Sequence, residues 1–429
     1  SDEIDHHWAR RHMAVKIYHK TPTVLHVATI NHPIGPDLSY APIETVIHNI
    51  DKGLHSLGHR SIVACSGDSR VAGEHYVTVD HSIGEYCSDK TLAWRRTMNM
   101  HLSRALGRAR MGDIDVIHMH DADAVEFIYD DAFSINVPVV MTLHVPAKDS
   151  LLEGAYQRWC NPSSSPLVYC AAISGYQKKQ YSYLLNTVDV VHHGIDVEEF
   201  PVKDAPNKGS YLFTIGRITR DKGQDKAIEL AKRTGSKLII AGCIQNKTAD
   251  REFFASMKDS IDLTVEAGEY LDDNDYYSGV IKPLLDCDKQ IIYIGEISSE
   301  HKKQWYRHAR ATLFPIQWGE PFGLVVIESM ACGTPVIAFN RGSVPEIIVD
   351  GKTGFVVDSM SDMIGAIDRI DDIDPRECRR HVWKNFSIAK MALNYSELYH
   401  QIIGSHKTSD SHSIFSTGHP SEPLHHGLS

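Results

Sequence analysis

The chain has 429 residues, enough for two domains of ordinary size, each with its own core. With 42% hydrophobic and 23% charged residues it has the make-up of a soluble globular protein, and it contains no run of about 18 apolar residues that would predict a bilayer span. A formal net charge of −11 argues against a general nucleic-acid binder, whose affinity comes from neutralising phosphates, and gives no support to a polybasic membrane patch.

Residues 1–22, opening "SDEIDHHWARRH", carry no signal-peptide pattern and are expected to form an N-terminal arm. From Thr23 buried strands alternate with amphipathic helices. "TVLHVATI" reads as a strand, and Ile43, Val46, Ile47, Ile50, Leu54 and Leu57 then recur at helical spacing. "RSIVAC", "HYVTV", "IDVIHMH", "PVVMTLHV" and "VYCAAIS" extend the strand series. The polar stretch "EEFPVKDAPNKGS", 198–210, has the composition of an interdomain linker. The pattern restarts with "YLFTIG", "GQDKAIELAKRTG", "KLIIAGC", "QIIYIGEI", "SSEHKKQWYRHA", "ATLFPI" and "TPVIAF". This predicts an α/β chain of two Rossmann-like, doubly wound domains, 23–204 and 205–385, facing a central cleft. Residues 386–404 are expected to form a helix packing back on the first domain, and the polar segment 405–429 a disordered tail. The eight cysteines are scattered without metal-ligand spacing and read as reduced core residues of a cytoplasmic protein.

The most informative stretch is "GEPFGLVVIESMACGTPV", 319–336. Glu320 falls in a loop after a strand, and Glu328 in the helix that follows and ends at Gly333. The N–H groups of Gly323, Leu324 and Val325 at the helix start form an anion site. An anion there would lie between two carboxylates that seek hydroxyls, which suits a phosphorylated sugar or a nucleotide. "FTIGRITRDKGQDKAI" turns at Gly216 and sets Arg217 and Lys222 at a strand's carboxyl end, where two cations can hold a diphosphate without a metal.

The run from "GRITRDKG" through "IIYIGEISSEHKKQWYRHARATLFPIQWGEPFGLVVIESMACGTPVIAFNRGSVPEIIVDGKTGFVV" resembles the donor domain of the retaining glycosyltransferases of family 4, which have the GT-B fold. The likeness is dense over residues 209–358 and looser over 23–200. It implies transfer of a sugar from a nucleotide-diphosphate donor, UDP-sugar before GDP-sugar, to a sugar, lipid-linked or small-molecule hydroxyl acceptor, with no metal or other cofactor. It further implies that Glu328 binds the ribose hydroxyls and Glu320 the transferred sugar. Gly323, Leu324 and Val325 would hold sugar or phosphate oxygens, and Arg217 and Lys222 would offset charge on the leaving diphosphate. Ile297 and the "YIGEI" turn would lie against the base.

In the first half the resemblance puts His144 beside the reacting sugar and His120, after His118, towards the acceptor. It makes "VHHGID", with Gly194 and Asp196, an interdomain turn. The first loop lacks the family's Gly-Gly pair, and Tyr40-Ala41 take its place. Four alternatives stand beside this reading: a glycoside hydrolase built on the carboxylate pair, a metal site at Asp121 and Asp123, a GT-B epimerase, and a non-catalytic nucleotide-sugar binder of the same fold.

Overall fold

The computed structural model describes residues 20–36, 41–84, 92–121, 136–144, 168–181, 187–269 and 275–414. The first half holds β1 (Val24–Val27), α1 (Pro42–Ser56), β2 (Ser61–Ser66), β3 (Glu74–Val79), α2 (Leu92–Ala109), β4 (Val116–Met119), β5 (Val139–Thr142), β6 (Val168–Ala172), α3 (Gly175–Tyr181) and β7 (Thr187–Val190). The second continues with β8 (Leu212–Ile215), α4 (Gln224–Thr234), β9 (Leu238–Ala241), α5 (Thr248–Met257), β10 (Leu263–Thr264), α6 (Lys282–Asp286), β11 (Ile291–Tyr293), α7 (Ser299–His308), β12 (Ala311–Phe314), α8 (Leu324–Ala331), β13 (Val336–Phe339), α9 (Val344–Ile347), β14 (Gly354–Val357), α10 (Met360–Arg369), α11 (Pro375–Phe386) and α12 (Ile388–Ile414).

Among the described residues each half forms one seven-stranded sheet, ordered β3-β2-β1-β4-β5-β6-β7 and β10-β11-β9-β8-β12-β13-β14. The pairings are parallel throughout. Parallel sheets need helices on both faces, so their inner strands are apolar from end to end. Runs such as Leu238–Ala241 and Val336–Phe339 are accordingly buried at every position. Each sheet reverses its winding once, between β1 and β4 and between β8 and β12. Such a switch point opens a crevice at the strand ends, because the two flanking loops turn to opposite faces.

The chain passes between the halves twice, at adjacent places. Ile195 N–H donates to the Phe386 carbonyl at 2.9 Å, and Ile388 N–H to the Ile195 carbonyl at 3.0 Å. Glycine is required at 194, where a Cβ would collide with the carbonyl of Ser387. After this crossing α12 lies on α1. Met391, Ala392, Tyr395, Leu398, Tyr399 and Ile402 share a core with Val24, Val46, Ile50 and Leu54. The helix runs past Gly404 to Ile414, because residues 405–414 contain neither proline nor glycine to stop it. His406 in this extension hydrogen-bonds Asn136 at 2.9 Å. Among the described residues no helix is long and apolar enough to cross a membrane.

Candidate active site

At the switch point of the second sheet, the loops after β8 and β12 meet backbone to backbone. Gly223 has φ 71°, and a Cβ there would collide with the Pro315 carbonyl oxygen. Gln317 N–H donates to the Asp221 carbonyl at 2.8 Å. This contact sets Lys222 opposite Glu320, with Nζ 3.0 Å from Oε2. The Trp318 indole N–H donates to the same oxygen at 3.0 Å. Both charged side chains are mostly withdrawn from solvent, so their attraction is screened less than that of a surface pair.

The turn after β13 fixes Glu320 from the other side. Gly342, with φ 58°, lies against the Glu320 backbone where a Cβ would clash, and Ser343 N–H donates to the Glu320 carbonyl at 2.9 Å. Arg217 stands further out: it is exposed, and its Nη1 donates to Gln245 Oε1 at 3.1 Å. Gly216 lies in the same loop, where the backbone of Gly242 packs against it.

Glu328 lies inside α8, which Gly323 opens with φ 94°. The first N–H groups of this helix, at Leu324 and Val325, have no acceptor one turn earlier in the helix. The Glu328 carboxylate is 8% exposed and receives two donors from α7. Lys302 Nζ donates to Oε1 and the Tyr306 hydroxyl to Oε2, each at 3.0 Å. Lys302 and Tyr306 are four residues apart, so they project from one helix face. Burial, with the charge of Glu328 added, pushes the Tyr306 phenol well above its ordinary pKa, so it remains a donor. Ile297 follows Gly295, whose φ is 71°, and its side chain is buried in the core of the second half.

Histidines occupy the corresponding place in the first sheet. His26 of β1 is in register with His118 of β4. His26 Nδ1 lies 2.9 Å from His120 Nε2, and His120 Nδ1 lies 3.1 Å from His144 Nε2. His118 makes separate contacts, with the Tyr399 hydroxyl at 2.6 Å and the Thr142 hydroxyl at 2.7 Å. Burial lowers the pKa of His26 to about 4 and that of His144 to about 3, and it drives His118, His120 and His193 well below the usual imidazole value. The cluster is therefore neutral at pH 7. His193 stacks on His144 with centroids 5.6 Å apart and meets the edge of Phe322, in the loop of Glu320, at 4.9 Å. Ala41 is buried at the start of α1 and Asp121 is buried after β4, whereas Tyr40 and Asp123 lie outside the described residues.

A contact between the halves comes from Glu346. Its carboxylate accepts the Gly175 and Tyr176 N–H groups at 2.6 and 2.9 Å and contacts His192 Nε2 at 3.2 Å. Burial opposes ionisation of Glu346, but the bonds from His192, Tyr176 and Gly175 outweigh it and hold its pKa below the usual range. Tyr176 also packs on Gly319, where any Cβ would strike its hydroxyl.

Two family models cover most of the chain, "Glycosyltransferase Family 4" over residues 43–199 and "Glycosyl transferases group 1" over 196–387. The chain belongs to the family 4 glycosyltransferases. This glycosyltransferase is 24% identical over 355 residues to an uncharacterized glycosyltransferase of Methanocaldococcus jannaschii, covering 73% of this chain and 83% of that protein. It is 25% identical over 252 residues to the phosphatidyl-myo-inositol mannosyltransferase of Mycolicibacterium smegmatis, covering 57% and 58%. Its fold is GT-B. Sucrose-phosphate synthase of Thermosynechococcus elongatus superposes with a TM-score of 0.65 at 16% identity, covering 90% of this chain and all of the other. The Anabaena HepE structure with UDP and glucose superposes with a TM-score of 0.61 at 14% identity, covering 88% and 99%.

Of the residues singled out in the glycosyltransferase sequence, Lys222 meets Glu320 in the loops before α8, Gly323, Leu324 and Val325 open that helix, Glu328 lies further along it against α7, and Arg217 is exposed. His120 lies inside the histidine cluster with both ring nitrogens engaged. Lys302, Tyr306 and Glu346 were not singled out. The spacing of Lys302 and Tyr306 on one helix face was a usable signal, but their partner on a different helix was not visible.

Proposed function

We propose that the protein transfers a hexosyl group from a UDP-sugar to a hydroxyl acceptor, with retention at the anomeric carbon and without a metal. The observation that carries this reading is the second switch point, where a helix start lies between two carboxylates that are each held by a cation. Lys302 and Tyr306 orient Glu328 for the ribose hydroxyls. Glu320 has one oxygen on Lys222 and Trp318, while Oε1 has no partner among the described residues and is available to a sugar hydroxyl. When a diphosphate binds at the start of α8, Lys222 can shift part of its charge from Glu320 to the phosphate as the glycosidic bond breaks, and this favours the transition state over the ground state. In the step itself the bond from the anomeric carbon to the phosphate oxygen breaks. The acceptor oxygen bonds on the same face, and its proton passes to the departing phosphate. The UDP and glucose carried by the HepE structure favour uridine as the base to test first.

The test has two parts. Unfolding midpoints are measured with UDP, GDP, ADP and dTDP, each with and without EDTA. A rise with UDP that EDTA leaves unchanged supports the donor and the absence of a metal, because a ligand of the folded state raises the midpoint by mass action. NMR of the product from an α-linked donor must then show an α-glycoside. A β-linked product would exclude retention.

A further inference from the structure

Three of the buried histidines form a string with a direction. His120 has both ring nitrogens engaged, by His26 at 2.9 Å and by His144 at 3.1 Å. The end atoms, His26 Nε2 and His144 Nδ1, are both buried and have no hydrogen-bond partner among the described residues. A neutral imidazole carries one N–H. The string therefore has two self-consistent proton arrangements, in which all three rings carry the proton on Nδ1 or all three carry it on Nε2.

The ends decide between them. With protons on Nε2, His26 buries an N–H with nothing to accept it, in a ring that is 0% exposed. With protons on Nδ1, His26 keeps only a bare lone pair there, and the unpaired N–H appears on His144 at the other end. Each arrangement therefore leaves one unpaired N–H, and a donor without an acceptor is costly in the interior; only at the half-buried His144 can an entering ligand oxygen accept it. At the His144 end, that ring stacks on His193, which meets Phe322 of the donor loop.

We propose that His26 and His120 are positioning residues that hold His144 in the Nδ1–H tautomer, presenting a fixed hydrogen-bond donor to an oxygen of the donor sugar. This rests on the reading of His144 as a sugar contact. The string moves no net charge: it fixes which nitrogen of His144 donates, by a chain of bonds reaching from the core of the first sheet. A metal ion shared by His26, His118 and His120, whose ligand atoms lie within 4.8 Å of one another, is the competing arrangement. The 2.9 Å between His26 Nδ1 and His120 Nε2 is a hydrogen-bond distance. Two nitrogens on one tetrahedral zinc, each at about 2.0–2.1 Å from it, would stand about 3.3 Å apart.

The test uses the full chain with 15N-labelled histidine, and the ring nitrogens are assigned through His26→Asn, His120→Gln and His144→Gln. His144 is expected to show a protonated Nδ1 and a bare Nε2 at neutral pH, with and without UDP. His26→Leu, which removes the anchor, should release that tautomer and lower kcat about tenfold to a hundredfold with the donor KM held within about twofold. His26→Asn, which keeps a polar atom at the Nδ1 position, should restore most of the loss. The proposal is overturned by a protonated Nε2 or a tautomer mixture on wild-type His144. It is also overturned by wild-type kcat in His26→Leu, by a fall in stability with kcat unchanged, or by a stoichiometric metal that co-purifies and broadens these signals. If His26→Leu does not fold, the wild-type spectrum still decides. Because the tautomer is read without turnover, failure to find any transferred sugar would sink the donor assignment and leave this result standing.

Discussion

The two sheets reverse their winding in the same way, yet they fill the resulting crevices by opposite means. The second uses compensated charge: Lys222 on Glu320, and Lys302 with Tyr306 on Glu328. The first uses neutral imidazoles packed ring to ring, with His26, His118 and His120 each 2% exposed or less. A diphosphate needs charge that can be redistributed as the bond to it breaks, whereas a sugar needs fixed hydrogen-bond directions and little charge. The topology supplies the crevice, and on the proposed function the side chains decide which part of a nucleotide sugar each crevice would take.

Acidification should separate the halves most strongly. His26 and His101 have folded pKa values of about 4, below the unfolded value near 6.5, so the unfolded chain binds more protons between these limits. Their stabilisation is complete above pH 6.5 and is lost as the pH falls towards 4, by about 1.4 kcal/mol per group for each pH unit. Amide exchange at pH 7 and pH 5 should locate the loss in the first sheet. A uniform loss over both sheets would erase the distinction.

Glu320→Ala comes next, because it removes the proposed sugar contact and leaves Lys222 without its partner. A fall in kcat of about 10²–10³ is expected, as for loss of one oriented transition-state contact. Free UDP should bind the variant about as well as it binds wild type, and an equal loss of UDP affinity would move Glu320 to the nucleotide. Tyr306→Phe deletes one hydrogen bond to Glu328 and should weaken UDP binding about tenfold at most, as for the loss of one bond worth about 0.5–1.5 kcal/mol. Unaltered affinity would show that Lys302 alone orients the carboxylate. Arg217→Ala should have a smaller effect on kcat than Lys222→Ala, since Arg217 is exposed and tied to Gln245. The smallest effect is expected from Glu346→Gln, which keeps the shape but loses the charge received by Gly175, Tyr176 and His192. A donor KM raised a few-fold at constant kcat is the outcome if this contact helps hold the halves together, and a lower kcat would place Glu346 nearer the chemistry.

Much of this was legible because it is local. The turn from Gly216 to Lys222, the loop of Glu320, the helix start at Gly323 and the alternation of buried strands are each patterns within about ten residues, the scale on which periodicity and turn signals operate. The short edge strands β7 and β10 and the helix α5 escaped notice because segments so short or so polar carry little period. Contacts across elements were illegible for another reason. Tyr306 reaches Glu328 across 22 residues, and Glu346 reaches Gly175 across 171. Such meetings depend on how helices and domains dock, which residue spacing does not encode. The histidine string is of the same kind: His26 and His120 are 94 residues apart and meet because β1 and β4 are neighbours.

The central claim is that the second switch point is a nucleotide-sugar site with Glu328 on the ribose. Titration calorimetry of UDP into wild type and Glu328→Ala, in the presence of EDTA, tests it most directly. The account predicts saturable one-site binding to wild type and an affinity lower by about tenfold or more in the variant, because a carboxylate that accepts two ribose hydroxyls contributes about 1.5–3 kcal/mol. Equal affinities, or binding that EDTA abolishes, would contradict it.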